Sequence, residues 1–146
     1  MQLSSFAKLY TKEGKNLPEI PHNSYPRPAL KRDSFFCLNG KWKFEAQAGK
    51  DMPVHFTREI IVPFCPESLL SGINETFPEN YWLFYKKKFS LPEGFAGDRV
   101  ILHFGAVDQI AEVFLNGEFL GKHIGGYEPF SFDITEKLLR ENTLVV

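Results

Sequence analysis

The amino-acid sequence predicts an all-β fold, and three observations lead to this prediction. Aromatic residues, which suit half-buried strands, make up 15% of the 146 residues, with 15 Phe, 5 Tyr and 2 Trp. Residues 41–45 alternate aromatic and charged side chains with the period of a strand. Residues 110–115 and 118–122 flank Asn116-Gly117, the dipeptide preferred in two-residue hairpin turns. The sequence therefore predicts short antiparallel strands joined by tight turns.

Further strands are predicted from short apolar runs that are bounded by Pro or Gly. These runs cover residues 59–62, 81–91, 99–104, 130–132 and a last strand that begins at Thr143. The Lys86-Lys87-Lys88 run is interpreted as a solvated sheet edge that discourages strand pairing, in preference to a phosphate-binding patch. Asp133 is predicted to cap a short helix that runs through Leu139, with Glu136 as its capping-box partner.

The chain is predicted to have an extended N-terminal arm over residues 1–33 and one β-sandwich domain over residues 34–146. The arm contains four of the ten prolines, which cannot occupy a central strand: Pro18, Pro21, Pro26 and Pro28. The last predicted strand stops at Val145-Val146 with no polar tail, so we expect an open edge there that invites pairing. We therefore expect a fragment of a longer protein, truncated at the C-terminal end of the sandwich.

Charge and hydropathy exclude several classes of partner. The formal net charge is −1, from 17 basic and 18 acidic side chains, whereas nucleic-acid-binding domains usually carry a basic excess. No apolar run approaches the roughly 20 residues of a membrane-spanning helix. The N-terminus has no basic start followed by an apolar stretch, so we expect a cytoplasmic protein in which Cys37 and Cys65 are reduced. We expect neither nucleic acid nor membrane as a partner.

No complete catalytic site is predicted within the chain. The four histidines lack the spacing of metal ligands, so no metal or other cofactor is expected: His22, His55, His103 and His123. Cys37 and Cys65 are candidate nucleophiles, but the interpretation as small buried residues is favoured. Glycoside hydrolysis needs a pair of carboxylates that flank a sugar. Three loop carboxylates are candidates, although solvated loop charges are the favoured interpretation: Glu67, Glu75 and Glu79.

Aromatic side chains near the predicted loops are candidates for stacking on a sugar. Tyr81 and Trp82 enter a predicted strand, in which half of the side chains are buried, so core packing is the favoured interpretation for both. Tyr127 follows Gly125-Gly126 in a loop, and there core packing and ligand contact are equally plausible interpretations.

A series of motifs, taken in chain order, resembles the N-terminal sugar-binding domain of glycoside hydrolase family 2. The motifs are L-N-G-K-W-K-F (38–44), V-P (62–63) with E-S (67–68), Y-K-K-K-F (85–89), F-G-A-V-D (104–108), A-E-V-F-L-N-G (111–117), G-K-H (121–123), G-G-Y-E-P-F (125–130) and F-D-I-T (132–135). The resemblance covers about three quarters of the chain, and no single motif carries it alone.

The resemblance implies a jelly-roll β-sandwich similar to galactose-binding domains. It implies a parent enzyme of β-galactosidase or β-glucuronidase type, active on a β-glycoside and homo-oligomeric. In this family the acid/base and nucleophile glutamates of the retaining mechanism lie in a later barrel domain, so no catalytic residue is expected in this chain. In the β-galactosidase branch of this family, the Asn of an N-x-x-[YF]-P loop contacts a sugar hydroxyl, and Asn74-Glu75-Thr76-Phe77-Pro78 is similar to that loop. The expected substrate-binding residues are Asn74, from this resemblance, and Tyr127, from its place as a loop aromatic.

Two other functions remain open from the sequence. A stand-alone carbohydrate-binding module would use the loop aromatics without a catalytic barrel. A structural or oligomerisation domain would use residues 1–33 for subunit contacts. The expectation that this fragment alone is catalytically inactive follows from the family resemblance.

Overall fold

A computed structural model describes residues 9–95 and 97–146 of the chain. The strands found there are β1 (Gly40–Ala48), β2 (Arg58–Val62), β3 (Tyr81–Phe89), β4 (Ile101–Phe104), β5 (Ile110–Leu115), β6 (Glu118–Ile124), β7 (Phe130–Asp133) and β8 (Asn142–Val145). Helical structure in the described residues is limited to α1 (Lys12–Lys15) and to single 3₁₀ turns at Pro28–Leu30, Leu69–Ser71 and Thr135–Lys137. Antiparallel sheets with almost no helix confirm the predicted all-β class and fit a β-sandwich.

The chain divides into two compact units, the first ending at Tyr85 and the second beginning at Lys86. The first unit is built on the strand order β2-β1-β3. In β1, the alternation of side chains buries Trp42 and Phe44, as predicted, and Trp42 lies opposite Ile60 of β2. The Trp42 indole nitrogen donates a hydrogen bond to the Leu38 carbonyl oxygen at 2.7 Å, so the polar end of the ring is satisfied within the core.

The N-terminal segment of the first unit contacts the start of β1. Thr11 caps α1 by accepting a hydrogen bond from the Gly14 amide at 3.0 Å. The Asn39 side chain donates to the Pro21 carbonyl oxygen at 2.9 Å. Gly40 has a φ of 98°, and a Cβ there would lie 2.8 Å from the Glu19 carbonyl oxygen, so this close approach requires glycine. The division of the chain after residue 33 stays a prediction.

The second unit contains the strand order β3-β8-β5-β6 and the separate antiparallel pair β4-β7. The predicted hairpin between β5 and β6 is confirmed, because Asn116 and Gly117 have φ values of 54° and 87°. Val113 and Leu115 of β5 and Leu144 of β8 are completely buried. In β5 the buried residues alternate with half-buried or exposed neighbours, and this alternation defines the core face of the sheet.

The expectation of an open edge at Val145-Val146 is wrong, because β8 has a partner strand on each side. Val145 lies opposite Lys86 of β3 and opposite Phe114 of β5. The interpretation of the lysine run as a sheet edge is wrong for the same reason, since Lys86-Lys87-Lys88 forms part of this ladder. The Lys88 ammonium group lies 3.4 Å from the exposed Glu141 carboxylate.

The predicted helix from Asp133 to Leu139 is also wrong. Asp133 ends β7, and only one 3₁₀ turn follows it, after which Leu138 returns to an extended conformation. The Asp133 carboxylate accepts hydrogen bonds from the Thr135 amide at 3.1 Å and from the Thr135 hydroxyl at 2.6 Å. Because both groups belong to Thr135, this side chain closes a tight local turn and does not cap a longer helix.

Candidate functional site

Asn74, the residue predicted to contact a sugar, lies on an exposed loop of the first unit. This loop, residues 72–80, is called the Asn74 loop below. Asn74 is exposed and has a φ of 54°, and Gly72 at the start of the loop has a φ of 82°. A left-handed conformation is uncommon for a residue with a Cβ, so contacts on both sides of Asn74 must maintain it.

The N-terminal side of the loop is fixed by two serines. Ser71 is completely buried, and its hydroxyl donates to the Ser68 carbonyl oxygen at 2.7 Å while it accepts from the Ile73 amide at 3.0 Å. The Ser68 hydroxyl accepts a hydrogen bond from the Ser71 amide at 3.2 Å. These bonds hold the backbone up to the residue that precedes Asn74.

The C-terminal side of the loop is held by a backbone hydrogen bond and an arginine. The Glu75 amide donates to the Pro66 carbonyl oxygen at 3.1 Å. The Glu75 carboxylate lies 2.9 Å from Nη2 of Arg58, the first residue of β2. The Arg58 guanidinium carbon lies 5.7 Å from the centre of the Phe44 ring and 5.8 Å from that of Phe77. Arg58 therefore contacts two side chains of the Asn74 loop.

The aromatic side chains around this loop are only partly buried. Tyr81 and Trp82 are 39% and 38% exposed, so the interpretation of both as core residues is wrong. The Tyr81 ring lies 6.4 Å from that of Phe77. Tyr85, in contrast, packs against Phe44 with ring centres 5.2 Å apart. Burial raises the pKa of the Tyr85 hydroxyl well above its usual range, and the nearby carboxylate of Glu67 adds to this rise.

Tyr127, the second predicted contact residue, belongs to the second unit and is 97% exposed. The backbone that precedes it is closely packed. The Gly125 amide donates to the Gln109 carbonyl oxygen at 2.9 Å, and a Cβ at Gly126 would lie 2.4 Å from an Asp108 carboxylate oxygen. The structure therefore excludes core packing for Tyr127. Asn74 belongs to the first compact unit and Tyr127 to the second.

The other candidates from the sequence are the loop carboxylates and the two cysteines. Glu67 and Glu79 are exposed, and Glu75 is engaged by Arg58. Both cysteines are free, with Cys37 half-buried and Cys65 exposed, so the interpretation of Cys65 as a buried residue is wrong. Within residues 9–95 and 97–146, no group of three or more side chains could hold a metal ion. The same residues contain no helix that is long and apolar enough to cross a membrane.

Comparison with known families identifies the chain. Residues 63–146 match the family described as glycosyl hydrolase 2, galactose-binding domain-like. The chain belongs to the glycosyl hydrolase 2 family. The match covers more than half of the sequence and includes the Asn74 loop, Tyr127 and all strands from β3 to β8. It confirms the family resemblance that the motifs indicate.

Two relatives that this chain resembles in sequence are much longer than the chain. A β-galactosidase of Thermoanaerobacter pseudethanolicus is 45% identical over 75 residues, which are 46% of this chain and 10% of the relative. A β-glucuronidase of Paenibacillus borealis is 35% identical over 135 residues, 84% of this chain and 22% of the relative. This glycosyl hydrolase 2 chain thus spans between a tenth and a quarter of these relatives.

A solved structure supports the same assignment. The β-glucuronidase of Bifidobacterium dentium, complexed with coumarin-3-O-glucuronide, is 33% identical and aligns with a TM-score of 0.59. The alignment covers 74% of this chain and 18% of the solved one. The glycosyl hydrolase 2 assignment therefore rests on sequence and on fold together.

Arg58 and Ser71, two of the residues that hold the Asn74 loop, were not found by sequence analysis. Arg58 lies 16 residues before Asn74 in the sequence, and nothing in its strand marks it as a partner of Glu75. Ser71 is a small polar residue in a loop, which gives no sign of complete burial. The Pro and Gly residues of this stretch predict a loop but not its internal hydrogen bonds.

Proposed function

We propose that this chain is the N-terminal domain of a retaining β-glycosidase of β-galactosidase or β-glucuronidase type, which acts in carbohydrate metabolism. The acid/base and nucleophile glutamates would lie in a barrel domain outside the present sequence. The match of residues 63–146 to the glycosyl hydrolase 2 family supports this proposal. So does the likeness to the β-galactosidase and β-glucuronidases described above.

Within such an enzyme, the domain would support the barrel and supply the Asn74 loop to the substrate. The observation that carries this role is that Asn74 is exposed in a left-handed conformation on a loop fixed at both sides. A carboxamide has both donors and acceptors, so it can satisfy either function of a sugar hydroxyl. Tyr127 is the second proposed contact, because a fully exposed ring can stack on the apolar face of a sugar.

The substrate class, the location and the oligomeric state of the enzyme are further parts of this proposal. Its substrate would be a β-glycoside, and the enzyme would be cytoplasmic and homo-oligomeric. No cofactor is part of the proposal, because retaining hydrolysis needs only two carboxyl groups and water. A net charge of −1 gives the chain no electrostatic preference for nucleic acid or for an anionic membrane.

An assay of the purified chain alone tests whether the catalytic residues lie outside this chain. We expect no turnover of nitrophenyl β-galactoside, β-glucuronide or β-mannoside, because the proposed catalytic glutamates are elsewhere. A full-length enzyme of the same family, assayed in parallel, is the control that these substrates can be hydrolysed under the conditions of the assay. Turnover that stays with the chain through purification, and disappears when the chain is unfolded, would contradict the proposal.

A carbohydrate-binding module that acts alone is the second candidate, and the exposure of Tyr127 favours it. Such a module must bind sugar without a barrel. Calorimetric titration with galactose, glucuronic acid, mannose and xylan oligomers distinguishes the two. Saturable heat that is lost in Tyr127→Ala would support the module, whereas flat titrations at millimolar sugar would exclude it.

A further inference from the structure

We propose that Arg58 is a positioning residue for Asn74, which it fixes through the side chains of Glu75 and Phe77. This inference rests on the proposed function, in which Asn74 contacts a sugar hydroxyl of a β-glycoside. Arg58 itself is the first residue of β2 and lies outside the residues that match the family model.

The first contact is the ion pair between Arg58 and Glu75. Their Nη2 and Oε1 atoms lie 2.9 Å apart, a normal length for a charge-assisted hydrogen bond. The Arg58 side chain is only 30% exposed, whereas that of Glu75 is 54% exposed. The pair is therefore less screened by water than an ordinary surface ion pair, because one partner is largely covered.

The second contact is with two aromatic rings. The Arg58 guanidinium lies within 6 Å of the centres of both Phe44 and Phe77, which are 5.8 Å from each other. Phe44 is completely buried in the core, so its ring gives the guanidinium a fixed support. A planar guanidinium can stack on aromatic rings and still donate to a carboxylate, which a lysine ammonium cannot do in the same way.

These contacts act on the same short stretch of chain. Glu75 directly follows Asn74, and Phe77 comes two residues later, so Arg58 holds the loop at two points on the C-terminal side of Asn74. The Ser71 hydroxyl holds the N-terminal side through the Ile73 amide. Without Arg58, the N-terminal attachment remains, but the C-terminal side loses its ion pair and keeps the Glu75–Pro66 backbone bond and the contact of the Phe77 ring with Phe44.

The structural part of the inference is tested by amide hydrogen exchange of the chain itself. Arg58→Met keeps the length of the side chain and removes its charge and planar group. We expect exchange of the Glu75 amide to become about tenfold faster, the combined effect of one partly screened ion pair and one cation–π contact. Arg58→Lys restores the charge without the planar group, and we expect an intermediate rate.

Lys43→Met is the matched control for this substitution. Lys43 on β1 and Glu59 on β2 form an ion pair of the same length, 2.9 Å, on the same two strands. Both partners are more than half exposed, and neither contacts the Asn74 loop in the structure described here. We expect the Glu75 amide of Lys43→Met to exchange at the wild-type rate.

The functional part is tested by steady-state kinetics of the full-length enzyme that contains this chain. We expect Asn74→Ala to raise KM for its nitrophenyl β-glycoside by about fivefold, the loss of one hydrogen bond to a neutral hydroxyl. Arg58→Met should raise KM by no more than this and leave kcat within about twofold, as removal of a uniform binding contact does.

The double variant tests whether Arg58 acts through Asn74. In the Asn74→Ala background, Arg58→Met should have no further effect on KM, because Arg58 acts through Asn74. Glu75→Gln breaks the same ion pair from the other side, and it should reproduce the effect if Arg58→Met folds poorly.

Two outcomes separate the failure of the inference from the failure of the proposed function. An unchanged KM in Asn74→Ala would overturn the proposed sugar contact, whatever Arg58 does to the loop. A raised KM in Asn74→Ala together with a wild-type KM in Arg58→Met and Glu75→Gln would overturn the role of Arg58 alone. Equal effects of Arg58→Met with and without Asn74 would also overturn it, because they would show an action independent of Asn74.

Discussion

The Asn116 side chain donates a hydrogen bond to the side-chain oxygen of Asn142 at 3.0 Å, and this pair joins the β5–β6 turn to the last strand. The two asparagines also satisfy neighbouring backbone groups. The Asn116 amide side chain donates to the Lys137 carbonyl oxygen, and its oxygen accepts from the Thr143 amide, each at 2.8 Å. Asn142 is completely buried and bonds to both the amide and the carbonyl oxygen of Leu139.

Asn142→Ala is expected to destabilise the chain strongly. The substitution removes a completely buried side chain and leaves the partly buried Asn116 amide and the Leu139 backbone groups without this partner, which costs about 1–3 kcal/mol. Asn80 is exposed on the Asn74 loop and is the control, because Asn80→Ala should change the free energy of unfolding by less than about 0.5 kcal/mol. Urea denaturation measures both, and equal stability of the two variants would contradict the importance of the pair.

Gly121→Ala in β6 is expected to be destabilising because the added Cβ has no space. It would lie 2.6 Å from a ring carbon of Phe132, and the ring or the strand must move, at about 1–3 kcal/mol. At Gly105 the backbone φ is ordinary and nothing lies within 4 Å of an added Cβ, so Gly105→Ala is a matched control. Thermal unfolding of both variants measures the difference, and a loss in Gly105→Ala as large as in Gly121→Ala would contradict the steric explanation.

Stability is expected to fall on acidification as Asp133 becomes protonated. Hydrogen bonds from the Thr135 hydroxyl and amide, together with Arg99, lower the pKa of Asp133 from its ordinary 3.8 to about 2. A carboxyl group whose pKa is lower in the folded state contributes stability above its unfolded pKa, and this is lost as pH falls through the folded pKa. The loss attributable to Asp133 should therefore occur between about pH 4 and about pH 2.

Asp133→Asn provides the measurement for this prediction. The difference in denaturation midpoint between the wild type and Asp133→Asn should shrink as the pH is lowered through that range. A difference that stays constant from neutral pH down to pH 2 would show that the carboxylate charge contributes nothing. A carbon-detected NMR titration of the Asp133 carboxyl group tests the lowered pKa directly.

Amides in the middle of β8 are expected to be well protected from hydrogen exchange. The strand has β3 on one side and β5 on the other, and Leu144 is completely buried. Strand β6 is the last strand of the same sheet in the described residues, so it has a neighbouring strand on one side only. It therefore serves as the internal comparison. Exchange of the Leu144 and Val145 amides as fast as that of β6 amides would contradict the interior position of β8.

Local patterns in the sequence predict much of this fold. The alternation over residues 41–45 gives β1 and its buried face, and Asn116-Gly117 gives the hairpin with both left-handed residues. Both features depend on neighbours in sequence, so the period and the turn chemistry are sufficient.

Features that depend on distant residues could not be predicted in this way. A strand that ends in Val145-Val146, or contains three lysines, gives no sign of how many partners it has, and β8 and β3 are both interior strands. Tyr81 and Trp82 lie in a real strand, but that strand's burial pattern leaves its first two residues exposed. In the candidate site, motif similarity singled out Asn74, whereas Arg58 and Ser71 act on its loop through contacts that no sequence pattern marks.

The central claim is that this chain is one domain of a larger β-glycosidase, and the native protein tests it most directly. An antibody raised against the chain can recover the native antigen from the source cells for intact mass measurement and assay. We predict a mass several-fold above 16.8 kDa and removal of β-galactosidase or β-glucuronidase activity from the extract along with the antigen. A native antigen of 16.8 kDa, with the glycosidase activities left in the extract, would contradict the claim.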